Sequence, residues 1–187
     1  MGLVIDTLFR GNMRRLGSYM EGYGDLTLPL KAPEYSKKKA MEYFARAGYR
    51  EMGTDGVLKN ERGERLVVEL TFADSSTLMT NVCSILRQEA LKCGVDLRLD
   101  SLTYSVCSRK VFEKRYQAAL WAWPLQTPFP RLYETFSSEL AYDARGNPVG
   151  NTSNIMAVSD AGLDAALDAE RNAPAVSYTH LRAHETL

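Results

Sequence analysis

Apolar positions along the chain alternate between helical and extended periods. Leu3, Val4 and Leu8 share one side of a helix that Gly11 ends. Ser36 is placed to cap a helix over residues 37–49, with Ala40, Met41, Phe44 and Ala47 at helical spacing and Gly48 in the left-handed turn that closes it. Turn signals at Thr54-Asp55-Gly56 and Asn60-Glu61-Arg62-Gly63 bracket a short Val57-Leu58 strand. A β-rich run over 66–72 follows, and together they predict a hairpin. Ser75 or Ser76 caps a second helix through Leu78, Val82, Ile85, Leu86 and Leu91, which stops at Gly94. Residues 95–99 alternate as a half-exposed strand. A helix over 104–115 leads into 117–123, a nearly unbroken apolar run that predicts a strand buried on both faces. Pro124, Pro128 and Pro130 close it. Residues 131–138 read as helix, 143–154 as a loop, and Ser159 as the cap of a last helix through Leu163, Ala166 and Leu167. Strand and helix in alternation predict an α/β domain, with a mixed but mostly parallel sheet and flanking helices.

Composition narrows the function classes. The 187 residues are 45% hydrophobic and 25% charged, an ordinary globular balance. Lys and Arg number 23, as do Asp and Glu, so the basic field that displaces phosphate counterions is missing and no nucleic-acid partner is expected. No apolar run approaches the roughly 20 residues that span a bilayer. Cys83, Cys93 and Cys107 form no C-x-x-C pair. Cys83 and Cys93 share one helical pattern, about 15 Å apart, too far for a disulfide. Three small, partly buried thiols are expected.

The chain ends carry their own signals. Residues 1–6 have no basic n-region and no extended apolar stretch, so no signal peptide is expected there. A chain that opens inside a helix reads as cut rather than started. Residues 176–186 match, residue for residue, one reading frame of a transposase-type sequencing adapter, so 176–187 are expected to be translated adapter and not native. Both histidines, His180 and His184, fall inside it. Their i, i+4 spacing could bind Zn²⁺ from one helical face, but the adapter reading outweighs a metal site. Without Arg182 and Glu185 the net charge stays at zero, and no histidine remains. That excludes Ser-His-Asp and Cys-His machinery.

No phosphate-binding P-loop, dinucleotide fingerprint or nucleophile elbow is present. Gly22-Tyr23-Gly24 is a lone G-x-G. Asp55-Gly56 is followed by Val57, Leu58 and Lys59, which bring no oxygen ligands for calcium. Lys37-Lys38-Lys39 and Glu113-Lys114-Arg115 read as solvated helix surface. The informative side chains are aromatic. Trp121 and Trp123 share one face of a strand near its C-terminal end, where open α/β sheets carry their ligand crevice. Flanking a ligand and filling the core are both open readings of this pair. Tyr19, Glu21 and Tyr23 form a second polar-aromatic cluster, which either faces the same crevice or is an ordinary solvated loop.

Several segments resemble, in order, the family 5 extracellular solute-binding proteins, the peptide and nickel receptors of ABC importers. Residues 35–49, Tyr-Ser-Lys-Lys-Lys-Ala-Met-Glu-Tyr-Phe-Ala-Arg-Ala-Gly-Tyr, are similar to that family's "Y-(D/S)-P-x-K-A-x-x-x-(L/F)-A-x-A-G-Y" helix. Asp55-Gly56-Val57, the 63–66 turn, the 67–72 strand, Leu91-Lys-Cys-Gly94-Val95, Leu120-Trp-Ala-Trp123 and Ser159-Asp-Ala-Gly-Leu-Asp164 follow in register. Upstream, residues 8–11 and 17–22 resemble the helix and loop of a peptide-binding branch.

The resemblance implies one lobe of a periplasmic binding protein type II-like fold, with residues 1–175 as part of the second of two lobes. It implies a periplasmic or lipid-anchored extracellular receptor, monomeric, without enzymatic activity or cofactor. Such a receptor captures oligopeptides between its lobes and delivers them to ABC permease subunits. It places Trp123 against a ligand side-chain pocket, with Trp121 next and the 19–23 loop third. Some members carry an aspartate for the peptide's free amine where this chain has Gln126, which supplies no charge. Main-chain pairing with an extended ligand survives that change. A receptor of the same fold for nickel or a glycoside is one alternative. A small α/β enzyme domain using carboxylates is another, although no strand end presents two of them.

Overall fold

The computed structural model describes residues 2–18, 21, 30–32, 34–122 and 131–172. The adapter-like residues 176–187, with His180 and His184, lie outside these. The chain divides into two compact units, residues 1–108 with 116–125, and 109–115 with 126–187.

The first unit opens with helix α1 (Gly2–Phe9), and Gly11 follows at φ 76° as its ending requires. Helix α2 (Lys37–Arg46) is capped by the Ser36 hydroxyl, which accepts the Lys39 N–H at 3.2 Å. It stops earlier than the apolar spacing predicts. Gly48 takes φ 95°, and the chain turns directly into strand β1 (Tyr49–Met52). This strand, rather than the 66–72 run, is the antiparallel partner of β2 (Leu58–Asn60). The predicted hairpin survives only as one bridge, Lys59 to Arg65. A period-2 run identifies a strand without naming its partner, and here β3 (Val67–Ala73) pairs elsewhere.

Strand β3 is the centre of a three-stranded parallel sheet. Its neighbours are β4 (Asp96–Leu102), in register from Val67↔Asp96 to Ala73↔Leu102, and β5 (Ala118–Leu120), from Leu70↔Ala118 to Phe72↔Leu120. Helix α3 (Thr77–Lys92) follows β3, and helix α4 (Tyr104–Phe112) follows β4. Ser76 is the N-cap of α3, without a side-chain cap bond. Leu70 and Phe72, two apart on β3, form the core with Cys83, and Met79, Leu86, Leu97, Leu99, Ala118 and Leu120 pack around them. Thr71 points to the other face, where its hydroxyl donates to the Asp100 carboxylate at 2.9 Å. Gly94, at φ 82°, fits beneath β2. A Cβ there would come within 2.6 Å of Leu58, and the Gly94 carbonyl accepts the Leu58 N–H at 2.8 Å.

One expectation needs correction here. Strand β5 is three residues long, half-buried, and paired with β3 alone among the described strands. An apolar run reports burial, not ladder length. The ladder ends at Leu120, so Trp121 stands just past the strand rather than inside one enclosed on both faces.

In the second unit, helix α5 (Leu132–Phe136) and a 3-10 turn (Ser138–Leu140) precede a long loop and helix α6 (Ala161–Arg171). The cap of α6 is Asp160 rather than Ser159. Its carboxylate accepts the Leu163 N–H at 2.8 Å, as a charged acceptor at that position can. Asn154, fully buried, donates to the carbonyls of Ser137 and Val158 at 2.9 Å and accepts the Val158 N–H at 3.0 Å. The Lys114 ammonium donates to the carbonyls of Leu140 (3.2 Å) and Val149 and to the Thr152 hydroxyl (2.8 Å). Burial lowers its pKa from the usual lysine value.

Candidate functional site

All three strands of the parallel sheet run the same way, so their carboxyl ends share one edge. Three connections leave from that edge. Ser75 lies two residues past β3, Tyr104 two past β4, and Trp121 one past β5. The parallel register therefore gathers residues far apart in sequence. They line a cavity of about 160 Å³ together with Ala73, Met79, Leu120 and Ala122. The described lining residues all belong to the first unit.

The Trp121 and Tyr104 rings stack, with centroids 6.1 Å apart and planes inclined by 19°. That separation falls in the range where aromatic pairs attract. Trp121 is half-buried and Tyr104 is 61% exposed. Met79 connects the cavity to the core, since it packs against the Leu70, Phe72 and Cys83 cluster. Among the described lining residues, no side chain carries a formal charge. The polar atoms at hand are the hydroxyls of Ser75 and Tyr104 and backbone at the strand ends. This arrangement can hold an apolar group against aromatic rings and fix its orientation with a few hydrogen bonds.

Of the residues singled out from sequence, Trp121 is at this cavity. Glu21 is not among its lining residues. Its carboxylate pairs with Arg14 at 2.7 Å and accepts the Gly17 N–H, which ties the loop to itself. Trp123, Gln126, Tyr19 and Tyr23 lie outside the described residues. Sequence reasoning missed Tyr104, Met79 and Ser75. The available signal was positional, because a residue just beyond any strand of a parallel sheet arrives at the ligand edge. Among the described residues no group of three or more His, Cys, Asp or Glu could hold a metal ion.

The same fold occurs in solved binding proteins. No protein-family model matches it. The chain is 23% identical over 107 residues to the oligopeptide-binding protein AppA of Bacillus subtilis (strain 168), across 56% of this chain and 19% of that protein. The structure of AppA in complex with a nonapeptide superposes with TM-score 0.75 and 18% identity, over 95% of this chain and 34% of that one. An oligopeptide-binding protein from Thermus thermophilus, complexed with a pentapeptide, gives TM-score 0.71 and 16% identity over 88% of this chain and 29% of that one. NikZ from Campylobacter jejuni, in complex with Ni(L-His), gives TM-score 0.69 and 21% identity over 92% and 33%. Peptide and nickel binders thus stand together among the similar structures, as the sequence resemblance implies. The fold is that of part of a periplasmic binding protein, and the chain spans about a third of the solved proteins it matches.

Proposed function

We propose that the chain is part of the substrate-binding component of an ABC importer for oligopeptides. Residues 1–175 would form most of its second lobe, and residues 176–187 would be adapter-derived. The observation that carries this reading is the uncharged cavity walled by Trp121 and Tyr104, at the carboxyl edge of a parallel sheet. The sequence likeness to AppA supports it.

The mechanism is capture without chemistry. A peptide bound to the Trp121 edge of one lobe completes its contacts only when a second lobe closes over it. Ligand binding therefore shifts the population toward the closed form that a permease engages. Trp123 and Gln126, just beyond Trp121, would extend the contact, and residues 19–23, including Tyr19, Glu21 and Tyr23, would contribute from their loop. The full receptor would work as a monomer in the periplasm or on a lipid anchor outside the cell. One lobe offers half of a cleft, so the chain alone is expected to bind peptides no tighter than about 1 mM.

Calorimetric titration of the longer receptor with peptides of two to nine residues, a nickel–histidine chelate and an oligosaccharide tests the reading. Saturable binding of peptides, weakened about tenfold or more by Trp121→Ala, is expected. Binding of the chelate or the sugar, with none of the peptides, would refute it in favour of those solutes.

A further inference from the structure

We infer that the cavity selects an uncharged, apolar side chain of about phenyl size from the ligand, and that Met79 sets this choice. The inference rests on the peptide-receptor reading above and adds the class of side chain taken.

Three observations carry it. First, the wall is chemically uniform. Ala73, Met79, Leu120 and Ala122 offer hydrocarbon or thioether, Tyr104 and Trp121 offer rings, and Ser75 offers one hydroxyl. An ammonium or carboxylate entering here would lose part of its hydration and find no opposite charge among the described lining residues, which is unfavourable. Second, the volume is about 160 Å³, and an apolar cavity of about 150 Å³ is large enough to take a benzene ring. Third, the wall is backed on one side. Met79 reaches the cavity from α3 while packing on the Leu70, Phe72 and Cys83 core. Its thioether gives favourable contact to an aromatic ring edge. The Tyr104–Trp121 stack is already closed at 6.1 Å, so a ligand ring lies beside the pair rather than between its members.

The described lining residues lie in one unit, so the cavity they form can be probed on the chain itself. It has two tryptophans, which give two indole N–H signals in a ¹⁵N-labelled sample, and Trp121→Phe assigns one of them. Titration with millimolar N-acetyl amides of Phe, Leu, Ala, Lys and Glu should move the Trp121 signal with Phe and Leu. The dissociation constants for Lys and Glu should be at least about tenfold weaker. Met79→Glu should invert the order and favour the Lys amide. Ser75→Asp, at an exposed position away from the core, should shift preference the same way if the first variant fails to fold. Equal affinities for all five amides, tighter binding of Lys or Glu, or no shift with any amide would overturn the inference. Peptide binding by the longer receptor is decided separately by calorimetry, so the two failures are distinguishable.

Discussion

The two units are held together by different chemistry. In the first, backbone ladders of the parallel sheet hold the strands, and apolar side chains fill the space between sheet and helix α3. In the second, single polar side chains hold loops that have almost no ladder of their own. Asn154 makes three hydrogen bonds to backbone, Lys114 bonds two carbonyls and a hydroxyl, and Asp143 accepts the N–H groups of Arg145 and Asn147, both at 2.8 Å. A ladder spreads stabilisation over many equivalent bonds. A polar clamp concentrates it in one side chain, because a buried backbone group that loses its partner pays its full desolvation cost. The candidate site belongs to the ladder-built unit, where position is fixed by register rather than by any one residue.

The largest test of this contrast is Phe72→Ala. Phe72 is 1% exposed at the centre of the sheet, and its truncation should cost about 3–5 kcal/mol in urea unfolding. All three cysteines are buried and belong to the first unit, and burial pushes the Cys83 thiol up to about 11. Native-state thiol labelling therefore reports opening of that unit alone. It should accelerate in the Phe72 variant.

Asn154→Ala comes next, at about 3 kcal/mol, because it strands two carbonyls and an N–H in a buried setting. It should raise hydrogen exchange in residues 131–172 while leaving thiol labelling unchanged. If labelling quickened as much as in the Phe72 variant, the two units would not be separately held. Lys114→Met keeps the aliphatic stem and removes the ammonium, and about 2 kcal/mol should be lost, again seen as exchange around Leu140 and Val149.

Acid has the smallest effect. The Ser138 N–H holds the Asp164 carboxyl below its usual pKa, and the Asn147 side chain does the same for Asp143. A carboxylate whose folded pKa lies below its unfolded value gives stability that is full above about pH 4 and is lost as pH falls through the folded value. Melting temperature should therefore drop on acidification below about pH 4. Asp164→Asn, whose amide oxygen can still accept the Ser138 N–H, should flatten that slope. An unchanged slope would show that the Ser138 bond does not hold the titrating carboxylate.

Much of the local structure was legible because its causes are local. Ser36 could be read as a cap because a hydroxyl at that position meets the third N–H of the helix, and Gly48 and Gly94 as stops because left-handed backbone is cheap only without a Cβ. Cap choice between neighbours was harder. Ser159 and Asp160 both qualify chemically, and only the turn geometry selects the aspartate. The pairing of β1 with β2 was not legible, since a strand's partner depends on contacts between segments that the pattern of either one leaves open. For the site, Trp121 stood out by its side chain alone. Tyr104 did not, because it looks like any exposed first residue of a helix until β4 is placed beside β3.

The sequence by itself determined most of the helices, the strands β3 and β4, and that a strand–helix alternation builds a mostly parallel sheet. These follow from side-chain period, caps and turn chemistry, which act over a few residues. The tertiary structure decided which strands are neighbours and where β5 ends. It also decided which residues join Trp121 around a cavity. Those outcomes depend on register between segments up to 48 residues apart, as in the Glu69 N–H donating to the Gln117 side-chain oxygen at 2.7 Å. That register is set by burying Leu70 and Phe72 against a common core, a choice that no single segment can make alone.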